Sequence, residues 1–184
     1  MWRYVRRHNQ SAIGPARAAG YTERMSLAII YHTRTGGSRQ MAEAAAEGAR
    51  AYLTTHLLRA EDAGPEDLLA AAGYLFCGPE NLGALTGEMK AFFDRCYYPL
   101  LGRIEGRPYA QLICAGSDGQ GAARQLARIA TGWRLREVQP ARIVITHAQT
   151  PEAILAPKRI ATADLGACAE LGAAMAAGLE MRIF

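Results

Sequence analysis

The chain is 184 residues long, with half its residues hydrophobic and 21% charged. That composition suits one globular domain able to bury its own core without disulfides or metals. No apolar run reaches the 18 residues of a membrane-helix candidate. The absence of a glycine period, a long repeat and a paired C-x-x-C argues against a fibre, a solenoid or a zinc module. The net charge of +4 is confined to residues 1–25, where five arginines face one glutamate; the remainder holds sixteen basic and sixteen acidic residues. No basic stripe marks the folded part, so nucleic acid is not an expected partner.

Residues 1–25 lack the continuous apolar segment of a secretory signal. They read as a basic, disordered extension preceding one domain over residues 26–184. Met25, directly before the first strand, also suits a start at that point. Cys77, Cys96, Cys114 and Cys168 are widely spaced. They are expected to be reduced thiols in a cytoplasmic protein.

Leu27–Tyr31 is a short apolar run with β-branched residues, predicting a buried strand. A polar, glycine-containing loop (His32 to Ser38) follows, and then a helix with Met41, Ala45, Gly48 and Tyr52 near one face. Ser38 is placed to cap that helix. His56–Ala60 predicts a second strand and Pro65–Ala71 a short helix. Gly73–Cys77 predicts a third strand, followed by a loop over Gly78–Leu85 and a helix over Thr86–Cys96. Phe92 and Phe93 on that helix read as core. Tyr109–Ala115 predicts a fourth strand, Gly116–Gly121 a loop and Ala122–Gly132 a helix. Arg142–Thr146 predicts a fifth strand and Ala163–Gly178 the last helix. This alternation implies a mostly parallel sheet covered on both faces. Right-handed crossovers then gather loops 32–38, 78–85 and 116–121 at one edge, where ligands bind in open α/β sheets.

The first of these loops, His32-Thr33-Arg34-Thr35-Gly36-Gly37-Ser38-Arg39, carries three hydroxyls and two glycines at a helix start. Such a loop suits a phosphate monoester or an inorganic anion; it reads equally as a polar loop with a helix cap. It lacks the G-K-[ST] ending of a Walker loop and the spacing of G-x-G-x-x-G.

The T-x-T-G-x-S pattern of Thr33 to Ser38 resembles the phosphate loop of flavodoxin-like proteins. The stretch from Gly78-Pro79 through Gly83 to Glu88-Met89-Lys90-Ala91-Phe92-Phe93-Asp94-Arg95 is similar to that of flavodoxin-like NAD(P)H-dependent FMN reductases and WrbA-type quinone reductases. Gly116-Ser117-Asp118-Gly119-Gln120-Gly121 matches the third flavin loop in position. The resemblance implies a three-layer sandwich around a five-stranded parallel sheet of order 2-1-3-4-5.

It also implies FMN, with Thr33, Arg34, Thr35, Gly36, Gly37 and Ser38 around the phosphate. Pro79, Glu80, Asn81, Leu82 and Gly83 would line the ring. Ser117, Asp118, Gly119, Gln120 and Gly121 would approach its edge. Glu80-Asn81 stands where the family often has an aromatic residue. On this reading the flavin carries the redox chemistry and no catalytic side chain or metal is required.

The expected function is an FMN-dependent oxidoreductase that moves reducing equivalents from NAD(P)H to a quinone, a flavin or a similar small acceptor, as a homodimer or homotetramer. The alternatives are a flavodoxin-like single-electron carrier and a non-redox module. Individual residues keep plainer readings. Residues 80–83 read also as a simple turn, Asp118 as a cap, Arg34 and Arg39 as solvated, and His32 as structural. His147, after the fifth strand, is a candidate substrate-site residue. Tyr97-Tyr98-Pro99-Leu100-Leu101 suits either an interface or a cover over a neighbouring site.

Overall fold

The computed structural model describes residues 25–184; the extension read over residues 1–25 lies, apart from Met25, outside the described residues. The elements are β1 (Ser26–Tyr31), α1 (Gly37–Arg50), β2 (Thr54–Arg59), α2 (Pro65–Ala70), β3 (Gly73–Asn81), β4 (Ala84–Leu85), α3 (Gly87–Leu100), β5 (Pro108–Ala115), α4 (Gln120–Gly132), β6 (Arg136–Glu137), β7 (Arg142–Ile145), α5 (Pro151–Leu155) and α6 (Thr162–Glu180).

The parallel sheet runs β2-β1-β3-β5, and β6 and β7, pairing with successive parts of β5, together fill its fifth position. This is the expected 2-1-3-4-5 arrangement and a flavodoxin-like three-layer sandwich. Alternate side chains of each strand enter different layers because strand side chains have a period of two. Leu27, Ile29, Leu75, Cys77, Leu112 and Val144 meet α1 and α6. Ala28, Ile30, Tyr74, Phe76 and Ile113 meet α3 and α4. In the second layer Phe76 is ringed by Phe93 at 5.1 Å, Tyr74 at 5.8 Å and Trp133 at 6.4 Å between centroids. Phe92 and Phe93 are core residues, as expected.

Helices α1 and α6 touch through glycine. A β-carbon on Gly48 would collide with the Ala169 carbonyl, and one on Gly172 with the Ala45 carbonyl. These two contacts fix how deep α6 sits, and with it the segment that leads into α6.

Two local expectations change, and a segment with no predicted element gains one. The 78–85 region is not a plain loop: β3 continues to Asn81 and turns back into β4, pairing Glu80 with Leu85 and Asn81 with Ala84. Ser38 is not the cap of α1. The helix begins two residues earlier than such a cap would place it, Gly36 occupies the cap position with φ 87°, and Ser38 lies inside the first turn. The segment after β7 contains α5, whose start carries a signature of Thr150 as cap and Pro151 in the first turn.

Candidate functional site

The C-terminal ends of β1, β3, β5 and β7 open onto a cleft of about 580 Å³. That lies within the range typical of cofactor pockets. Of the residues singled out in sequence, Thr33, Arg34, Thr35, Gly37 and Ser38 line it, as do Pro79, Glu80, Asn81, Leu82, Gly83 and Ser117. Gly36 does not line it. Asp118, Gly119, Gln120 and Gly121 are not among the lining residues.

The first loop closes on itself. The Gly36 N–H donates to Thr33 Oγ1 at 3.0 Å, and Gln40 N–H donates to the Gly36 carbonyl at 3.2 Å. The positive φ of Gly36 turns the chain so that α1 begins without a side-chain cap. Its first-turn N–H groups carry the positive end of the helix dipole. Ser38 is 1% exposed and lines the cleft, yet its Oγ has no hydrogen-bond partner within the protein. The thiol of Cys114 stands beside it, but sulfur is a weak partner. A buried hydroxyl left unpaired costs about 1–3 kcal/mol, and the protein offers this one no oxygen or nitrogen partner. Gly37 has no room for a side chain, since a β-carbon would meet Cys114 Sγ at 2.6 Å.

The second wall is the β3–β4 hairpin. Glu80 does not face a ligand with its carboxylate. Its Oε1 accepts from Gly119 N–H at 2.8 Å and its Oε2 from Ala122 N–H at 2.9 Å. This caps α4 in place of Asp118, which is exposed. Gln125 adds a bond to Leu85 N–H at 2.8 Å, and Gly121 packs directly under the Gly83 carbonyl. The third loop therefore supports the hairpin, and only Ser117 of its five predicted residues reaches the cleft. At the hairpin tip Leu82 and Gly83 both have positive φ, 52° and 70°, the geometry of a two-residue type I′ turn. Leu82 is fully exposed.

A third wall comes from outside the predicted site residues. Cys114, Ala115, Gly116, Thr146, Ala148, Ile154, Leu155 and Lys158 complete the lining. Lys158 is one of two lysines in the chain, and the Thr150-Pro151 start of α5 is the signal that would have located this wall. Burial pushes the Cys114 thiol up to about 11, outweighing the nearby charge of Lys158. It is a packing residue rather than a nucleophile.

His32 is a buried structural residue. Its Nδ1 lies 3.0 Å from Glu61 Oε1 and its Nε2 3.6 Å from Glu88 Oε2, tying the end of β1 to the start of α3. For Glu61, burial alone would raise the pKa. Hydrogen bonds from Arg59, the backbone and His32 outweigh it and hold the group at about 2. Arg34 is mostly exposed, 3.4 Å from Glu88, and Arg39 lies 3.7 Å from Glu43. His147 is exposed with φ 56° and does not line the cleft, although Thr146 and Ala148 on either side do. Tyr97, Tyr98 and Leu101 are exposed at the far end of α3, about 15–20 Å from its start by helix rise. Among the described residues no group of three or more His, Cys, Asp or Glu is placed to hold a metal, and no helix is long and apolar enough to cross a membrane.

No family model matches the chain. It is 39% identical over 103 residues to a flavodoxin of Aquifex aeolicus, covering 54% of each protein. It is 33% identical over 92 residues to an NAD(P)H dehydrogenase (quinone) of Acidithiobacillus ferrooxidans, covering 38% of this chain and 46% of that protein. The chain thus spans about half the length of the curated relatives it matches. Among solved structures, a flavodoxin from the domain Archaea superposes with a TM-score of 0.70 at 17% identity, over 85% of this chain and 99% of that one. A flavodoxin, WrbA-like protein from Agrobacterium tumefaciens does so with a TM-score of 0.68 at 21% identity, over 85% and 98%. The fold is therefore flavodoxin-like.

Proposed function

We propose that the chain binds FMN in this cleft and works as a flavodoxin-like electron carrier. The observation that carries the reading is the buried, unpartnered hydroxyl of Ser38 at the uncapped start of α1. A phosphate there would pair that hydroxyl and the first-turn N–H groups together. The residues present fit the group: Thr33 and Gly36 close the loop, and Gly37 brings the backbone near. Arg34 supplies positive charge at the rim. Thr35 offers its hydroxyl.

When bound, FMN supplies reversible electron transfer, which no side chain of this cleft provides. The chain's own part is to hold and orient. The hairpin from Pro79 to Gly83 is fixed by Glu80 and Gln125 before a ligand arrives, so its backbone donors and acceptors need no reordering. Asn81, exposed on the same hairpin, is the side chain suited to a ring edge. Ser117 comes from the third loop; Asp118, Gly119, Gln120 and Gly121 act through the hairpin they support. The 39% identity to the Aquifex aeolicus flavodoxin, with the superposition on an archaeal flavodoxin, favours the carrier.

A second reading is reduction of a quinone or another small acceptor by NAD(P)H, as a homodimer or homotetramer. It is favoured by the 33% identical relative named as an NAD(P)H dehydrogenase (quinone). All four cysteines are free and buried, which fits a cytoplasmic, reducing setting.

The test is to add FMN, desalt, record the absorbance spectrum, and then add NADH or NADPH without oxygen. Retained flavin bands that nicotinamide does not bleach support the carrier. Rapid bleaching moves the assignment to the enzyme. Loss of all flavin overturns both.

A further inference from the structure

Helix α5 is out of proportion to its own support. It is five residues long and has no buried side chain. A helix that short does not hold itself in water. It is held from outside by Lys158. The Nζ of that residue donates to the carbonyls of Ala153 at 2.7 Å, Ile154 at 2.8 Å and Ala156 at 2.6 Å. The main chain of Lys158 is tied to the first loop. Its N–H donates to the Thr35 carbonyl at 2.7 Å, and its carbonyl accepts from Gln40 Nε2 at 2.8 Å. The same Gln40 nitrogen donates to the Gly36 carbonyl at 2.9 Å, and Gln40 Oε1 accepts from Ile160 N–H at 3.2 Å. One lysine and one glutamine thus fasten α5 to the loop at the start of α1.

Two exposed aliphatic residues on α5, Ile154 and Leu155, line the cleft. Leu82 lines it from the hairpin, which is fastened to α4. Since α1 and α4 lie on opposite faces of the sheet, the aliphatic residues approach from two sides. Leu82 also holds a left-handed φ of 52° while fully exposed. Strain and exposure at one apolar residue, with no return from the protein itself, point to a contact outside it. Among the described residues lining the cleft none is aromatic.

We propose that Lys158 is a positioning residue, and that it sets Ile154 and Leu155 against Leu82 as an aliphatic clamp for the flat ring of the ligand whose phosphate sits in the first loop. This rests on the FMN reading and adds the residues that grip the ring. All three Nζ donors of Lys158 are engaged with α5, so the ammonium orients the clamp instead of binding the phosphate.

The test compares FMN with riboflavin, which has the ring but no phosphate, by equilibrium fluorescence titration of the full chain. The variants are Lys158→Met and the double variant Ile154→Ser with Leu155→Ser. Loss of apolar contact from two side chains is expected to weaken binding by about tenfold or more. Both variants should weaken FMN and riboflavin by the same factor, leaving their ratio unchanged. The double variant alters only exposed positions, so it reads the clamp even where Lys158→Met folds poorly. Unchanged affinities overturn the proposal. A loss confined to FMN also overturns it, because Lys158 would then touch the phosphate. Wild-type protein that binds neither ligand overturns the FMN reading and this proposal together; wild-type binding with unaffected variants overturns this proposal alone.

Discussion

The carboxylate of Glu80 accepts a hydrogen bond from the backbone N–H of Gly119 at 2.8 Å, linking the β3–β4 hairpin to the start of α4 across 39 residues. With Ala122 N–H on its second oxygen, this one side chain caps a helix and fixes a wall of the cleft. Glu80→Ala removes both bonds. Helix capping by a charged side chain sets the expected loss at about 1–2 kcal/mol of stability. Denaturant melts measure it. FMN binding should weaken in the same variant, because the hairpin is released.

Ser38→Ala should separate stability from binding. The hydroxyl has no partner in the protein, so its removal should leave the unliganded melting temperature unchanged or slightly higher. Affinity for FMN should fall by about tenfold, the worth of one hydrogen bond to a charged group. A melt and a titration on the same preparation check both.

Leu82→Asn should do the same from the opposite wall. Asparagine tolerates a positive φ and is favoured before glycine in a type I′ turn. The variant should gain about 0.5–1 kcal/mol of stability and lose FMN affinity. A thermal melt beside a titration measures the trade.

Thiol chemistry should report the packing. Burial pushes Cys96, Cys114 and Cys168 up to about 11 and Cys77 well above its ordinary 9.0. Raised thiols favour the protonated form in the folded state. Their contribution is therefore complete below pH 9 and lost as the pH rises through about 11. At pH 8 a thiol reagent should react slowly with folded protein and fully after unfolding. Stability should decline from pH 9 towards 11, measured by denaturant titration at each pH.

Legibility from sequence followed periodicity. The five parallel strands are short apolar runs of the kind expected between covering helices, and Thr33-to-Ser38 is local chemistry in a single loop. Both were readable. The turn within residues 80–83 is also legible, but its pairing as a hairpin is not, because Leu82 replaces the Asn that announces a type I′ turn. The Glu80 cap was not either, since it joins residues 39 positions apart. Lys158 was the hardest case: its role depends on Thr35 and Gln40, more than 110 residues away, and only the Thr150-Pro151 start of α5 offered a local sign. Serine favours the cap position, which is why the sequence points to Ser38 there. Gly36, free to take a positive φ, took it instead.

The central claim is that the first loop seats the phosphate of FMN. The most direct measurement is the affinity of wild-type protein for FMN and for riboflavin, with inorganic phosphate added as a competitor. The account predicts that FMN binds at least about a hundredfold tighter, since charge-assisted hydrogen bonds to the phosphate contribute about 1.5–3 kcal/mol each. Inorganic phosphate should weaken FMN binding and leave riboflavin binding unchanged. Equal affinities for the two flavins, with no effect of phosphate, would contradict it.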